Sequence, residues 1–244
     1  MSNRETDVSP IAKAVILAAG RGTRMRELTN ELPKPMIAVR GKPILLHIVE
    51  GLRDAGVTEV LIVVGYRADV VQDFFGDGSR FGVGISYETQ TVQDGTGKVV
   101  EMGRAFVGAD AFILSYGDIL VDPVNYRSLV RLDADTEAIV SVKRDEDVSK
   151  GGAVFVNADF ELIDLREKPK PSEPISPWYN AGVYVFRPSI FEYVAGLRRS
   201  PRGEFELTDA IRDLARSGKK VRILELTGDW ADVRDPEILA DLNR

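Results

Sequence analysis

The chain has 244 residues, of which 44% are hydrophobic and 29% charged, so it is long enough to bury the full core of a globular protein. Its formal net charge of −6 gives no general attraction to nucleic acid or anionic membranes, and neither is expected as a partner. The sequence has no cysteine and a single histidine, which excludes disulfides, thiolate metal sites and sites built from several histidines. We expect that histidine, His47, to be a helix residue with a hydrogen-bonded ring.

The N-terminal residues 1–10 are polar and mixed in charge, and we expect them to form a disordered tail. The apolar runs that follow are far shorter than the roughly 20 residues that a membrane-spanning helix needs. We therefore expect a cytoplasmic protein in which residues 11–244 form one domain.

The first half of the chain alternates continuous apolar runs with amphipathic segments, a pattern typical of a parallel sheet covered by helices on both faces. Strands are predicted at 13–19, 59–66, 82–90, 111–116 and 136–142, and helices at 43–56 and 68–75.

After about residue 150 the pattern changes to short strands that alternate apolar and polar residues, with prolines between them. Late helices are predicted from ELTDAIRDLARSG and PEILADL, the latter with Asp235 as its N-cap. The fold class that these patterns predict is α/β: a Rossmann-like three-layer α/β/α sandwich with a mixed, mostly parallel central sheet and a β-rich second half.

The first predicted strand ends in a glycine-rich turn, LAAGRGTRM, residues 17–25. Glycines let backbone N–H groups approach phosphate oxygens closely, so the turn is a candidate phosphate site. The dinucleotide pattern G-x-G-x-x-G would require a glycine where the chain has Met25, and the Walker A ending G-K-[ST] is absent. Neither of these two common sites is therefore predicted.

Cations concentrate directly after the strand, at Arg21, Arg24, Arg26 and Lys34. Lys34 stands between two prolines, which restrict the backbone on both sides and reduce the freedom lost on binding an anion. Because open α/β sheets bind ligands at the carboxyl ends of their strands, this cluster predicts an anion site there.

LAAGRGTRM, LPKPM and GKPIL together resemble the signature of the sugar-1-phosphate nucleotidylyltransferases, G-x-G-T-R-[LM] followed by P-K-P. Each fixed position is met, by Gly20, Gly22, Thr23, Arg24, Met25, Pro33, Lys34 and Pro35. The resemblance implies transfer of a nucleoside monophosphate from a nucleoside triphosphate to a sugar 1-phosphate, with release of pyrophosphate. It also implies a nucleotide-binding half at about 11–150 and a sugar-binding half at about 151–244.

The resemblance gives the glycine loop the task of wrapping the triphosphate, with Arg24 and Lys34 as catalytic cations. Gln90 stands where the family places a base-reading glutamine, although Gln93 is a neighbouring candidate and a polar residue closing a strand is the simpler interpretation. The nucleotide-binding residues implied are Leu17, Ala18, Ala19, Gly20, Gly22, Thr23, Gln90 and Gly95.

Two aspartates match the positions at which the family binds Mg²⁺. Asp118 lies in the Gly-Asp step of FILSYGD and is also expected to be catalytic, and Asp232 lies in the W-x-D-V stretch of GDWADVRDP. Oxygen ligands at strand ends suit a hard cation such as Mg²⁺.

The second half contains E-K-P and N-A-G stretches that resemble the family's sugar-phosphate pocket. The residues implied are Gly152, Glu167, Lys168, Asn180 and Gly182. One departure is Arg234, which occupies the position of a family glycine after W-x-D-V and could reshape the loop or add a phosphate contact.

Alternatives to the enzyme remain open at this point. They are a catalytically silent subunit that binds nucleotide sugar, nucleotidyl transfer to another phosphate such as phosphocholine, and, less favoured, a dinucleotide-dependent oxidoreductase. The sequence defines neither the base, the sugar, an allosteric site nor the oligomeric state, and a homo-oligomer is compatible with it.

Overall fold

The computed structural model of the protein describes residues 10–22, 25, 29 and 32–244. Three residues of the predicted anion site, Thr23, Arg24 and Arg26, lie outside the described residues, as does the predicted tail up to residue 9.

Strands and helices alternate along most of the described chain. The strands are β1 Lys13–Leu17, β2 Ala38–Val39, β3 Lys42–Pro43, β4 Glu59–Val64, β5 Gly84–Thr89, β6 Phe112–Tyr116, β7 Ile119–Val121, β8 Ala138–Arg144, β9 Gly152–Val156, β10 Leu162–Glu167, β11 Trp178–Phe186, β12 Val221–Glu225 and β13 Trp230–Asp232. The helices are α1 Ile44–Asp54, α2 Ala68–Phe75, α3 Thr96–Glu101, α4 Arg104–Val107, α5 Val124–Leu129, α6 Ile190–Ala195, α7 Leu207–Arg216 and α8 Pro236–Leu242.

The central sheet combines a parallel and an antiparallel part. Strands β5, β4, β1 and β6 are parallel neighbours in that order, and β11 pairs antiparallel with β6. Strand β11 also pairs with β9, which pairs with β10. In addition β11 pairs with β8, which in turn pairs with β12. The mixed sheet predicted from the sequence is confirmed.

The sheet buries both of its faces, as the continuous apolar runs predict. In β1, Ala14 and Ile16 belong to one hydrophobic cluster together with α1, α2 and α5, whereas Val15 faces a second cluster that includes α3, α4, α6 and α7. Helices therefore cover the sheet on two sides, and the predicted three-layer arrangement is observed.

The pairing of strand β11 with β8 is interrupted in the middle of β11, around Gly182. The register with β8 shifts between Asn180 and Tyr184, and Gly182 adopts a φ of +79°. A Cβ at this position would lie 2.9 Å from the Tyr116 ring and 3.0 Å from the Ile119 side chain. Both the conformation and the close packing therefore require glycine here.

The predicted strands at 13–19 and 59–66 are shorter in the structure, ending at Leu17 and Val64. The chain leaves the sheet at those points to form the loops described below. Asp235 caps α8 as predicted, because its carboxylate accepts from the backbone N–H of Ile238 at 3.0 Å. Within the described part of the chain, no helix has the length and apolar character needed to cross a membrane.

Candidate active site

The carboxyl ends of the parallel strands meet at one edge of the sheet. The amide of Gly117, just after β6, donates to the carbonyl of Leu17 at 2.9 Å, and the amide of Ala18 donates to Val63 O at 2.8 Å. A Cβ on Gly117 would approach that Leu17 carbonyl to 2.9 Å, so glycine lets the chain after β6 lie directly against the chain after β1.

A cavity of about 440 Å³ opens at this edge. It is lined by nine residues that the sequence assigns to nucleotide binding or catalysis: Leu17, Ala18, Ala19, Gly20, Gly22, Lys34, Gln90, Gly95 and Asp118. We call it the first cavity. Residues from loops more than 70 positions apart therefore converge as the resemblance implies.

The Lys34 side chain packs against Gly22 of the glycine loop and forms an ion pair with Asp118. Lys34 begins a one-turn 3-10 helix that follows Pro33, and its side chain is only 11% exposed. Gly22 has a φ of +70°, and a Cβ there would lie 2.7 Å from the Lys34 Cβ, so the loop packs directly on the lysine. The ammonium ends 2.5 Å from Asp118 Oδ2. The loop thus fixes the lysine, which in turn neutralises the carboxylate.

The structure does not distinguish between Gln90 and Gln93 as the glutamine that would bind the base. Gln90 donates to the carbonyl of Val92 at 2.8 Å, Gln93 donates to the carbonyl of Ala19 at 3.5 Å, and both line the first cavity. The role of Gln90 stays a prediction.

Gly95 allows the distant segment around Phe205 to pack against the chain beside the first cavity. It has a φ of +116°, and a Cβ would lie 2.5 Å from the backbone of Phe205. The two segments exchange backbone hydrogen bonds, from Phe205 N to Asp94 O at 2.9 Å and from Gly97 N to Phe205 O at 2.8 Å. Glu204 consequently lines the first cavity.

A second cavity of about 210 Å³ adjoins the first. It is lined by six residues that the sequence assigns to the sugar phosphate or the metal: Gly152, Glu167, Lys168, Asn180, Gly182 and Asp232. The two cavities share Thr96, Tyr116 and Glu204 as a common wall. One bound molecule can therefore extend from one cavity into the other.

A short antiparallel ribbon holds the two candidate metal ligands together. Strand β7 follows Asp118 and strand β13 ends at Asp232, and Ile119 pairs with Asp232 across the ribbon. The amide of Val233 also donates to the Asp118 carbonyl at 3.0 Å. The two aspartates therefore lie at the same end of the ribbon, Asp118 on the lining of the first cavity and Asp232 on that of the second.

The two aspartates supply carboxylate oxygens, a type of ligand that Mg²⁺ takes in proteins. No group of three or more acidic or histidine ligands is found among the residues that the structure describes. Mg²⁺ commonly takes one or two carboxylates and completes its octahedron with water and substrate phosphates. Asp118 and Asp232 fit a magnesium ion of that kind.

Glu167 lies in an acidic environment in the second cavity. Burial, and next the neighbouring carboxylate of Glu206, raise the pKa of the Glu167 carboxyl to about 7. Arg202 partly compensates, because its guanidinium lies 3.5 Å from Glu167 Oε1 and 3.3 Å from Glu206 Oε1. The carboxyl can therefore act as a hydrogen-bond donor or acceptor near neutral pH.

The backbone around the E-K-P stretch is strained. Lys168 has a φ of +43°, and its amide donates to the carbonyl of Gly151 at 2.5 Å. Left-handed geometry is costly for a lysine and is often found where a side chain is positioned for function. At Gly152 a Cβ would lie 2.9 Å from the Asn180 Cβ, so glycine leaves room for the asparagine.

Asn180 presents an unsatisfied acceptor to the second cavity. Its Nδ2 donates to the Tyr184 hydroxyl at 2.8 Å, and that hydroxyl donates to Tyr116 at 3.4 Å. Its Oδ1 is buried and has no hydrogen-bond partner among the described residues. A buried acceptor without a partner is costly, so Asn180 Oδ1 is a candidate acceptor for a hydrogen bond from a ligand.

Sequence reasoning missed several lining residues, namely Thr96, Tyr116, Arg202, Glu204 and Glu206. The N-terminal helix turn at Thr96 and the charged run RGEFE gave no local sign of a site. His47 behaves as predicted, since its Nε2 is hydrogen-bonded to Val39 O at 2.8 Å and it lines neither cavity.

Comparison with known proteins identifies relatives of the chain. The chain is 36% identical over 233 residues to the glucose-1-phosphate thymidylyltransferase of Streptomyces griseus, covering 95% of this chain and 65% of that protein. It is also 36% identical over 236 residues to the bifunctional protein GlmU of Methanocaldococcus jannaschii, covering 95% of this chain and 53% of that protein. The chain thus spans between half and two thirds of the length of these curated relatives.

A solved structure has the same fold over its whole length. The crystal structure of a UDP-glucose pyrophosphorylase complexed with UDP-glucose superimposes with a TM-score of 0.86 at 25% identity, covering 96% of this chain and 97% of that one. The family described as nucleotidyl transferase matches residues 13–244. The resemblance drawn from the glycine loop is confirmed, and the chain belongs to the nucleotidyl transferase family.

Proposed function

We propose that the protein catalyses Mg²⁺-dependent transfer of a nucleoside monophosphate from a nucleoside triphosphate to a sugar 1-phosphate. The observation that carries the proposal is the meeting of two cavities at Asp118 and Asp232, one lined by the glycine loop and the other by the E-K-P and N-A-G strands. The products are a nucleoside diphosphate sugar and pyrophosphate.

The reaction needs in-line alignment and neutralisation of charge, and no covalent intermediate with the protein. An oxygen of the sugar phosphate forms a bond to the α-phosphorus, while the bond from that phosphorus to the bridging oxygen breaks and pyrophosphate leaves with the electron pair. The adjoining cavities would allow this approach, because an acceptor in the second cavity would lie beside a triphosphate in the first, where the cavities share lining residues.

Asp118 and Asp232 would hold the magnesium ion, which offsets negative charge on the phosphates when bound. Among the described residues that line the first cavity, Lys34 is the one with a positive charge. Its side chain is largely buried and packs under Gly22, which keeps the ammonium near Asp118. It would stabilise charge that develops on the α-phosphate and the departing pyrophosphate. Arg24 is proposed to act beside it, as the resemblance implies.

The second cavity would bind the acceptor through groups that match a hydroxyl-rich ring with one phosphate. Asn180 Oδ1 and the Glu167 carboxyl supply hydrogen-bond partners for hydroxyls, and Lys168 supplies a cation for the phosphate. A small zwitterionic acceptor such as phosphocholine has no donor for Asn180 Oδ1, and the cavity therefore favours a sugar.

A catalytically silent binding subunit is the second candidate. It is disfavoured by the paired aspartates and the lysine that reaches them, which sugar binding alone does not require. A cytoplasmic location and a single domain over 11–244 stay predictions.

The test is pyrophosphate release with a matrix of nucleoside triphosphates and sugar 1-phosphates in the presence of Mg²⁺. Turnover with at least one pair, abolished by EDTA and restored by Mg²⁺, is expected. Calorimetric binding of both substrates without turnover of any pair would contradict the proposed reaction and favour the silent subunit.

A further inference from the structure

Arg234 is a second cation at the candidate metal ligands. Its side chain is only 17% exposed, and its Nη1 lies 3.5 Å from Asp232 Oδ2. The Arg234 amide donates to the Asp232 carbonyl at 2.8 Å, which forms a tight turn that folds the side chain back over the aspartate. The position is the one at which the resemblance would place a glycine.

The guanidinium also reaches the wall of the second cavity. The Arg234 guanidinium and the Asp232 carboxylate both act electrostatically on the Tyr179 hydroxyl. That hydroxyl packs so closely on Gly151 that any Cβ there would overlap it, and Tyr179, Gly151 and Lys168 all line the second cavity. Arg234 is thus anchored on the sugar-phosphate side of the ribbon.

The two carboxylates are therefore each neutralised by a cation on a different side. Lys34 pairs with Asp118 and lines the first cavity, whereas Arg234 pairs with Asp232 and contacts the lining of the second. Each cation held against a carboxylate in this way offsets the charge of that carboxylate. Were a metal ion bound by the carboxylates, Lys34 and Arg234 would be free to donate to phosphate oxygens.

We propose, on the basis of the function proposed above, that Arg234 binds the phosphate of the incoming sugar 1-phosphate and competes with the metal for Asp232. A guanidinium suits this task because its planar fork donates to two phosphate oxygens at once. Asp235, whose Oδ2 lies 3.9 Å from Arg234 Nε, caps α8 and keeps the stem of the arginine near the ribbon.

The experiment compares Arg234→Gln and Arg234→Gly with the wild type and with Arg53→Gln. Arg53 is a matched control, because it pairs with the adjacent Asp54 at 2.7 Å and lines neither cavity. Three quantities are measured for each protein: KM for each substrate, the Kd of Mn²⁺ for the ligand-free enzyme by calorimetry, and the thermal midpoint.

Loss of a charge-assisted hydrogen bond predicts that KM for the sugar 1-phosphate rises about tenfold to a hundredfold in both Arg234 variants, while KM for the nucleoside triphosphate changes less than about twofold. Loss of the competing cation predicts tighter binding of Mn²⁺ to the ligand-free protein, by about threefold or more. Arg53→Gln changes neither quantity.

Unchanged KM and unchanged Mn²⁺ affinity in folded Arg234 variants would overturn the inference, and so would a fall in the thermal midpoint alone. Should the wild type turn over no substrate pair, the proposed function fails, and the Mn²⁺ measurement still decides whether Arg234 acts on Asp232.

Discussion

The two cavities are built from different materials. The first is framed by backbone and glycines, with the Lys34–Asp118 pair at its inner end. The second is crowded with charged side chains, which include Glu167, Lys168 and Arg202. Backbone groups bind what all substrates of one class share, such as phosphates, whereas side chains distinguish one ligand from another.

This difference explains what the site reveals about its substrates. The first cavity indicates a polyphosphate but does not identify the base, since Gln90 and Gln93 both line it and either could contact the base. The second cavity offers an orphaned acceptor at Asn180 and a titratable carboxyl at Glu167, and both would discriminate among sugars. We therefore expect sugar specificity to depend on side-chain contacts of the second cavity.

The largest effect is expected at the junction of the cavities. Asp118→Asn removes one of two candidate metal ligands and the partner of Lys34, and we expect kcat to fall at least about a hundredfold with the fold intact. Asp110→Asn is the control, because Asp110 pairs with Lys13 at 2.8 Å and lines neither cavity. Near-normal pyrophosphate release from Asp118→Asn would contradict the metal assignment.

The backbone character of the first cavity can be tested with two glycines of the same loop. In Gly22→Ala the new Cβ would overlap Lys34 in a left-handed conformation, and we expect the free energy of unfolding to fall by about 1–3 kcal/mol. A Cβ at Gly20 meets nothing within 4 Å, so Gly20→Ala should change it by less than about 0.5 kcal/mol. Equal losses in chemical denaturation of the ligand-free proteins would show that the loop does not pack on Lys34.

The side-chain character of the second cavity can be tested at Asn180. Asn180→Ala removes the orphaned acceptor, and we expect KM for the sugar 1-phosphate to rise about tenfold, with little change in KM for the nucleoside triphosphate. Asn157→Ala serves as the control, since Asn157 shapes the turn before β10 and lines neither cavity. A rise of both KM values to the same extent would indicate general damage instead of sugar recognition.

The smallest effect is expected from the titration of Glu167. Its pKa is raised from an ordinary value of 4.5 to about 7, so the folded state favours the protonated acid, and stability is lost as pH rises from about 4.5 through 7. Glu167→Gln does not titrate. The free energy of unfolding of the wild type should therefore fall relative to that of the variant between pH 5 and pH 8. Because the carboxyl is 23% exposed, we expect this difference to be about 1 kcal/mol.

Unfolding curves at several pH values measure this difference, with Glu173→Gln as the control because Glu173 is only partly buried and lies outside both cavities. Parallel pH dependences of the wild type and Glu167→Gln would contradict the raised pKa.

The part of the first cavity formed by the glycine loop and Lys34 could be predicted from the sequence, because these residues are local in the chain. The strand, the turn and the lysine between prolines lie within residues 13–35, and their chemistry follows from residue type. The same holds for Gly182, whose positive φ coincides with the N-A-G stretch, although only the structure shows that Tyr116 and Ile119 exclude any larger residue.

The remainder depended on contacts between distant segments. The ribbon of β7 and β13 joins strands of three residues that are more than 100 positions apart, too short for a periodic signal. The approach of Phe205 to Gly95 brings Arg202 and Glu204 to the site, and nothing in RGEFE marks it as a binding segment. Such contacts form only when the whole sheet is assembled, so the local sequence does not reveal them.

The most direct test of the account is a crystal structure with Mg²⁺ and the nucleotide sugar made by the substrate pair that turns over. The account predicts the nucleoside in the first cavity, the sugar beside Asn180 and Glu167 in the second, and the diphosphate at Asp118 and Asp232. A nucleotide sugar bound elsewhere, or with its phosphates remote from both aspartates, would contradict it.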